Sequence, residues 1–408
     1  MMHRTPSLLA TFPQLPQDPA SGAARSIRTI CEFLACAGWE VEALGTTATE
    51  GRLPDAPDSW LAAAGYRVER CAGPQNSRLL QFSAAGVQYR ILDIGRANAA
   101  DARQTRGDAF DELFDSAYHR LNPSVFFSYS GWRADFDRRA RVRRLGTRVV
   151  FTARNSTYVH AAAFAGADRV FCASRPMAVL AREQLGVDAP VLPVPVSPDE
   201  VVAPVRQPTC VGFVNPEPIK GVSVFARIVE QVSKRRPEIP FLVVNSRQRG
   251  DLVVEVGRIA GLDLTQANLM VAEPVARPAA LYAVIRVLLV PSINEGAGRV
   301  AAEALLNGIP VLVSDRGGLP ETVGDPAFVI PLPPGTSARD PTPPSAAAVR
   351  EWVDAVIRLM CDENEYRTAS ERALRAARTY DVAALIRAYD EFFRELLQVP
   401  AISQTLAR

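Results

Sequence analysis

Along the chain, short apolar runs alternate with longer stretches in which apolar residues recur every three to four positions, the marks of buried strands and amphipathic helices. Near the start, SLLATF reads as a strand, PQLPQDPASGAARS as a loop entering a helix, and SIRTICEFLACAG as that helix, with Ile27, Ile30, Cys31 and Leu34 on one face. Gly38 ends it, and WEVEALG, YRILDIG, SVFFSYS, RVVFTAR and RVFCAS follow as further strands. A second series then begins: CVGFVNP as strand, PIKGVSVFARIVEQVSKR as helix, FLVVNS as strand, DLVVEVGRIAGL as helix, NLMVAEP as strand, RPAALYAVIR as helix, VLLVPS as strand, RVAAEALLNG as helix and IPVLVSD as strand. Two late helices, AAAVREWVDAVIRLM and DVAALIRAYDEFFRELL, complete the pattern.

Regular alternation of this kind predicts an α/β protein with parallel sheets. Between the two series, VDAPVLPVPVSPDEVVAPVRQP is too rich in proline to hold a helix and reads as a linker. The expected organisation is two Rossmann-like domains over 1–195 and 208–380, joined by a linker over 196–207. Open α/β sheets bind ligands beyond the carboxyl ends of their strands, so a cleft between the domains is the expected site.

Composition narrows the classes of function. The 408 residues are 48% hydrophobic and 22% charged, with a net charge of +2, too balanced for a nucleic-acid footprint. The six cysteines form no CxxC pair, which predicts reduced thiols and a cytoplasmic protein. No window approaches the ~20 apolar residues of a membrane span; the densest, ALYAVIRVLLV, carries Arg286. The N-terminal MMHRTPSLLATFPQ lacks the apolar run of a signal peptide. The basic run RADFDRRARVRRLGTR reads first as a solvated helix face, and second as a peripheral docking patch for the inner membrane face or a lipid-phosphate acceptor.

The candidate chemistry sits in PSINEGAGRVAAEALLNGIPVLVS. Gly296, Ala297 and Gly298 make a turn in which glycine permits positive φ and close backbone approach. The helix that follows presents free amides at Arg299 and Val300, an anion site suited to phosphate. Glu295 precedes that site and Glu303 lies about two turns on; carboxylates accept hydrogen bonds from vicinal hydroxyls in several directions. The same spacing also suits a simple Arg299–Glu303 i,i+4 pair and a loop acid favoured by a helix start.

The longer string PSINEGAGRVAAEALLNGIPVLVSDRGGLPE resembles the signature of the retaining glycosyltransferases of family 4, with the GT-B fold. The resemblance rests on Pro291, Ser292, Glu295, Gly296, Gly298, Glu303, Ala304, Gly308, Pro310, Val311, Ser314, Gly317, Gly318 and Glu321. It implies that the final helix, within 381–408, crosses back onto the N-terminal domain. It also implies that Glu295 contacts the donor sugar, that Glu303 holds the ribose, and that amides around Gly298, Arg299 and Val300 take the diphosphate. In VGFVNPEPIKG, Lys220 and Gly221 match the family's lysine–glycine pair, making Lys220 a phosphate clamp; it and Lys234 are the chain's only lysines.

Several positions depart from the family pattern. Phe213 stands where an arginine is usual, leaving Arg247 or Arg299 to supply a second cation. Gly22 and Ala23 stand where two glycines are common, in a loop whose amides would lie beside the diphosphate, with Arg25 facing either the cleft or the surface. Arg154 and Asn155 stand where many relatives carry a histidine beside the reacting centre, and His3, His119 and His160 do not fill that role. Backbone contacts near Val271 and Ala272 are the expected readers of the base. The implied function is retaining, metal-independent transfer of a sugar from a nucleotide-diphosphate donor to a glycan, lipid or small-molecule acceptor, with no cofactor. A nucleotide-sugar binding or regulatory module that has lost the chemistry is the alternative. An NAD-dependent oxidoreductase is disfavoured, because no GxGxxG follows the first strand.

Overall fold

The computed structural model describes residues 4–51, 53, 55–97, 107–245, 251–273, 275 and 277–398. In the N-terminal half the elements are β1 (Ser7–Thr11), α1 (Gly22–Cys36), β2 (Glu40–Thr46), α2 (Pro57–Ala63), β3 (Glu69–Ala72), β4 (Arg78–Ala84), β5 (Val87–Asp93), α3 (Gly107–Leu121), β6 (Val125–Ser128), α4 (Arg133–Arg144), β7 (Arg148–Ala153), α5 (Ala161–Phe164), β8 (Arg169–Cys172) and α6 (Arg175–Leu185). After α7 (Pro198–Val201) come β9 (Cys210–Val214), α8 (Val222–Arg235), β10 (Pro240–Val244), α9 (Leu252–Ile259), β11 (Asn268–Ala272), α10 (Ala279–Tyr282), β12 (Ile285–Val290), α11 (Arg299–Leu306), β13 (Val311–Val313), α12 (Leu319–Val323), α13 (Arg350–Cys361), α14 (Glu363–Ala376) and α15 (Val382–Gln398).

The strands form two sheets, ordered β3-β4-β5-β2-β1-β6-β7-β8 and β11-β10-β9-β12-β13. The second is parallel throughout, and in each sheet the order reverses beside its first strand, β1 or β9. Such reversals open a crevice at the carboxyl ends of the strands. The expectation of purely parallel sheets is corrected at one edge: β3, β4 and β5 run antiparallel. The proline-rich linker is also not wholly free of helix. Pro198 opens the single turn α7, where proline's missing N–H costs no hydrogen bond. Similarly, the stretch expected as one helix over RPAALYAVIR holds only the short α10, and β12 begins at Ile285.

The last helix packs back onto the N-terminal layer. Tyr389 and Phe393 are fully buried, Phe393 meets Trp39 and Phe127, and Trp39 donates its indole N–H to Asp390. The basic helix α4 spends most of its charge internally. Arg138 pairs with Asp111 and Asp135, Arg141 with Asp115 and Arg143 with Asp168, while Arg139 is buried against backbone carbonyls. No helix among the described residues is long and apolar enough to cross a membrane.

Candidate active site between the two sheets

The site is assembled where β9 and β12 end. After β9 the chain makes a tight turn over Pro218–Lys220 and passes through Gly221 at φ 80° into α8. Only glycine fits there, since a Cβ would collide with the carbonyl of Pro291 as well as strain the backbone. That close approach sets Lys220 over the loop after β12. Its Nζ lies 2.5 Å from Glu295 Oε2, which also accepts from Ser292 Oγ at 3.3 Å. The Glu295 main chain is held from below: its carbonyl accepts from Gly318 N at 3.1 Å, and a Cβ at Gly317 would strike that carbonyl. Gly298, at φ 84°, then caps α11, and Arg299 and Val300 in the first turn of that helix line the space above.

Two adjoining cavities occupy this position. One, of about 120 Å³, lies between the loop before α1 and the ends of β9 and β12, with Arg25, Lys220, Glu295 and Gly298 on its wall. The other, of about 290 Å³, extends toward Ala23, Arg154 and Asn155 on the N-terminal side and Gly296 and Ala297 on the other. Gly22, Arg299 and Glu295 border both. Ser21 caps α1 by accepting from Ala24 N at 3.3 Å, so Gly22 and Ala23 form the first turn of a helix aimed at the same space. The structure thus brings Glu295, Lys220, Gly296–Val300, Gly22, Ala23, Arg154 and Asn155 together.

Glu303, the expected ribose ligand, lies behind the cavity wall on α11. It is fully buried and its carboxylate is already committed: to Arg25 at 2.8 Å, Arg299 at 2.7 Å and the Tyr282 hydroxyl at 2.7 Å. Burial alone would raise its pKa, but the two guanidiniums hold it below the ordinary carboxylate value. Arg299 is no free second cation either, for it also donates to Pro195 O at 2.6 Å and burial, with Arg25 beside it, lowers its pKa to about 10. Arg25 of α1, although paired with Glu303, also borders the smaller cavity. Sequence pattern left Arg25 between cleft and surface, because a lone arginine on a helix carries no register signal.

Phe213 stacks on Phe225 at 4.2 Å and belongs to the core under α8. Arg154 lines the larger cavity and its guanidinium lies beside buried Tyr389, with Nη1 unpaired and the pKa lowered by burial. Its carbonyl abuts Gly296, where a Cβ would collide with it. Asn155 shapes the rim, accepting from Thr157 N at 3.0 Å. His160 caps α5, accepting from Ala163 N at 3.3 Å. Val271 and Ala272 lie on the edge strand β11, Val271 half-exposed, and border neither cavity. Arg247 and His3 lie outside the described residues. Among the described residues no cluster of His, Cys, Asp or Glu is arranged to hold a metal ion.

Residues 205–362 match the family model described as glycosyl transferases group 1. Over 204 residues the chain is 26% identical to a D-inositol 3-phosphate glycosyltransferase of Corynebacterium kroppenstedtii, a match covering 47% of this chain and 41% of that protein. Over 163 residues it is 32% identical to an MMP alpha-(1->4)-mannosyltransferase of Mycolicibacterium hassiacum, covering 39% and 36%. The matched stretch therefore spans less than half the length of these relatives. Among solved structures, the sucrose-phosphate synthase of Thermosynechococcus elongatus superposes with a TM-score of 0.69 at 18% identity over 97% of this chain and 100% of that one. The Anabaena protein Alr3699/HepE, in complex with UDP-glucose, superposes with a TM-score of 0.65 at 14% identity, over 95% and 99%.

Proposed function

Because residues 205–362 match the glycosyl transferases group 1 and the chain takes the GT-B fold, we propose that it moves a sugar from a nucleotide-diphosphate donor to an acceptor hydroxyl with retention of configuration. The observation that carries this reading is the Lys220–Glu295 pair at 2.5 Å, set at the glycine turn where α11 begins and at the mouth of the cavity between the sheets. An activated sugar has two demands there. Its diphosphate needs cations and oriented N–H groups, which Lys220, Arg25 and the Gly298–Val300 turn provide. Its hydroxyls need a fixed acceptor, which Glu295 provides. The relative solved with UDP-glucose suits the same donor class.

In this mechanism the donor's phosphate oxygens replace Glu295 as the partner of Lys220, and Glu295 turns to the sugar hydroxyls. Fixing the anomeric carbon against an acceptor entering past Asn155 makes attack effectively unimolecular. The C–O bond to the diphosphate breaks as the acceptor oxygen bonds on the same face, and the departing phosphate takes the acceptor's proton. Lys220 and the helix-start amides stabilise the developing charge, so no divalent ion is needed in this scheme. The six cysteines are unpaired, which suits a cytoplasmic setting. The internal pairing of α4 leaves little charge for a membrane contact, so none is proposed.

A second reading, a nucleotide-sugar binding module without turnover, is favoured by Phe213 in the core and by Arg154 set beside Tyr389. Transfer and hydrolysis assayed with UDP-, GDP-, ADP- and dTDP-sugars decide between them. Release of nucleoside diphosphate with one donor is expected; tight binding without release across the panel selects the second reading, and no binding at all overturns both.

A further inference from the structure

The second sheet ends at β11, which pairs with β10 alone among the described strands. Its sequence, NLMVA, holds no proline and no charge, the devices that usually protect an open edge. Met270 is 43% and Val271 50% exposed there. One bond fixes the backbone directions: Ala272 O accepts from Asn245 N at 2.8 Å, on the β10 side. Alternation along the strand then sets the N–H and C=O of Val271 and the C=O of Leu269 along the free edge. The Leu269 N–H is used locally, donating to Ala267 O at 3.0 Å. Side chains alternate as well. Leu269 packs into the core with α8 and α9, so Val271 stands on the α9 side and Met270 on the opposite face. On that first side α9 exposes Val254 and Ile259, beside Glu255 and Arg258, which form no salt bridge among the described residues.

We propose that β11 pairs antiparallel with β11 of a second copy of this chain, joining the two sheets across a two-fold axis. A two-fold needs a surface that complements itself, and the strand does so in one register. With Met270 facing its own copy, Leu269 stands opposite the second copy's Val271. The Val271 N–H then donates to the second copy's Leu269 C=O, and symmetry repeats the bond. The two Met270 side chains meet at the close position, where no hydrogen bonds intervene. A stable dimer buries about 800 Å² per subunit, more than a five-residue edge supplies, and α9 extends the contact. The same axis lays α9 antiparallel to its copy, so that Glu255 of each faces Arg258 of the other while Val254 and Ile259 lose their water. An unrelated strand added to this edge would leave those charges unmatched, so charge favours a second copy as the occupant.

Sedimentation velocity of the full chain over a concentration series tests this. The unaltered protein is expected to sediment as a dimer that dissociates on dilution. Met270→Lys sets two like charges face to face across the axis and should leave only monomer at concentrations where the unaltered chain is dimeric, with an unchanged circular-dichroism spectrum. Glu255→Arg and Arg258→Glu should each shift the equilibrium toward monomer, and the two together should restore the dimer, a rescue that a misfolded variant would not show. A monomer at every concentration overturns the proposal, and so does a dimer that Met270→Lys leaves intact.

Discussion

Glu295 and Lys220 are each other's partner, so each has a contact to exchange before it can hold a donor. Glu295→Gln and Lys220→Ala should therefore cut transfer by about tenfold or more, the worth of a charge-assisted contact of roughly 1.5–3 kcal/mol, with little change in melting temperature. Steady-state rates and melting curves check both parts, and unaltered rates would remove the pair from the mechanism. Asp18, in the loop ahead of α1, gives a pH-dependent counterpart. Burial, with Glu50 nearby, raises its carboxyl from 3.8 to about 7, against the N–H bonds it accepts from Ala20 and Glu50. A carboxyl raised on folding contributes stability in full below its unfolded value, and loses it as pH rises through the folded value. Stability owed to Asp18 should thus decline between about pH 4 and 7, and Asp18→Asn should flatten that part of a pH–melting profile. Glu295, the glycine turn and Lys220 were legible because adjacent residues write them. The partners of Glu303 were not, because Arg25 and Tyr282 join it only through tertiary packing.

The element that sets the site is the turn between β9 and α8. Gly221→Ala forces both a left-handed backbone, about 1–2 kcal/mol unfavourable for an L-residue, and a clash with the Pro291 carbonyl. Because Pro291 is rigid backbone, relief requires the Lys220 turn to move away from the loop bearing Glu295. The expected result is a lower melting temperature together with weakened donor binding, and calorimetry on a folded Gly221→Ala sample would show it. Strands such as RVVFTA and IRVLLV were readable from their apolar runs. The edge hairpin β3–β4 was not, since ERCA is mostly exposed and neither alternates nor clusters apolar residues. The helix expected before β12 was overrun for a related reason: Val284 to Arg286 suit helix and strand alike, and pairing of Ile285 with Cys210 decides for the strand.

At the scale of the whole molecule, the two units meet through polar contacts, some buried and some exposed, as well as apolar ones. Arg25 to Glu303 crosses the interface, as do Asn294 to Ser156 at 2.8 Å, Ser174 to Gly296 O at 2.5 Å and Arg175 N to Glu321 at 2.8 Å. Glu303→Ala would strand two buried guanidiniums. Breaking a buried pair in this way costs about 3–5 kcal/mol, so denaturant unfolding should register a loss of that order. Small-angle scattering of the same variant should show a larger radius of gyration as the units part; an unchanged radius would mean that the remaining contacts hold the cleft by themselves.

The return of α15 to the first sheet makes the second unit, in effect, an insertion within the first. Residues that finish the N-terminal layer, Tyr389 and Phe393 among them, leave the ribosome only after the whole second unit. During synthesis the early half must wait, its seam open beside Trp39 and Phe127, while everything from β9 to α14 emerges and folds. A nascent chain arrested just before Val382 should accordingly display a complete second unit attached to an unfinished first one, and pulse proteolysis of such stalled chains would find the cut sites confined to the earlier half.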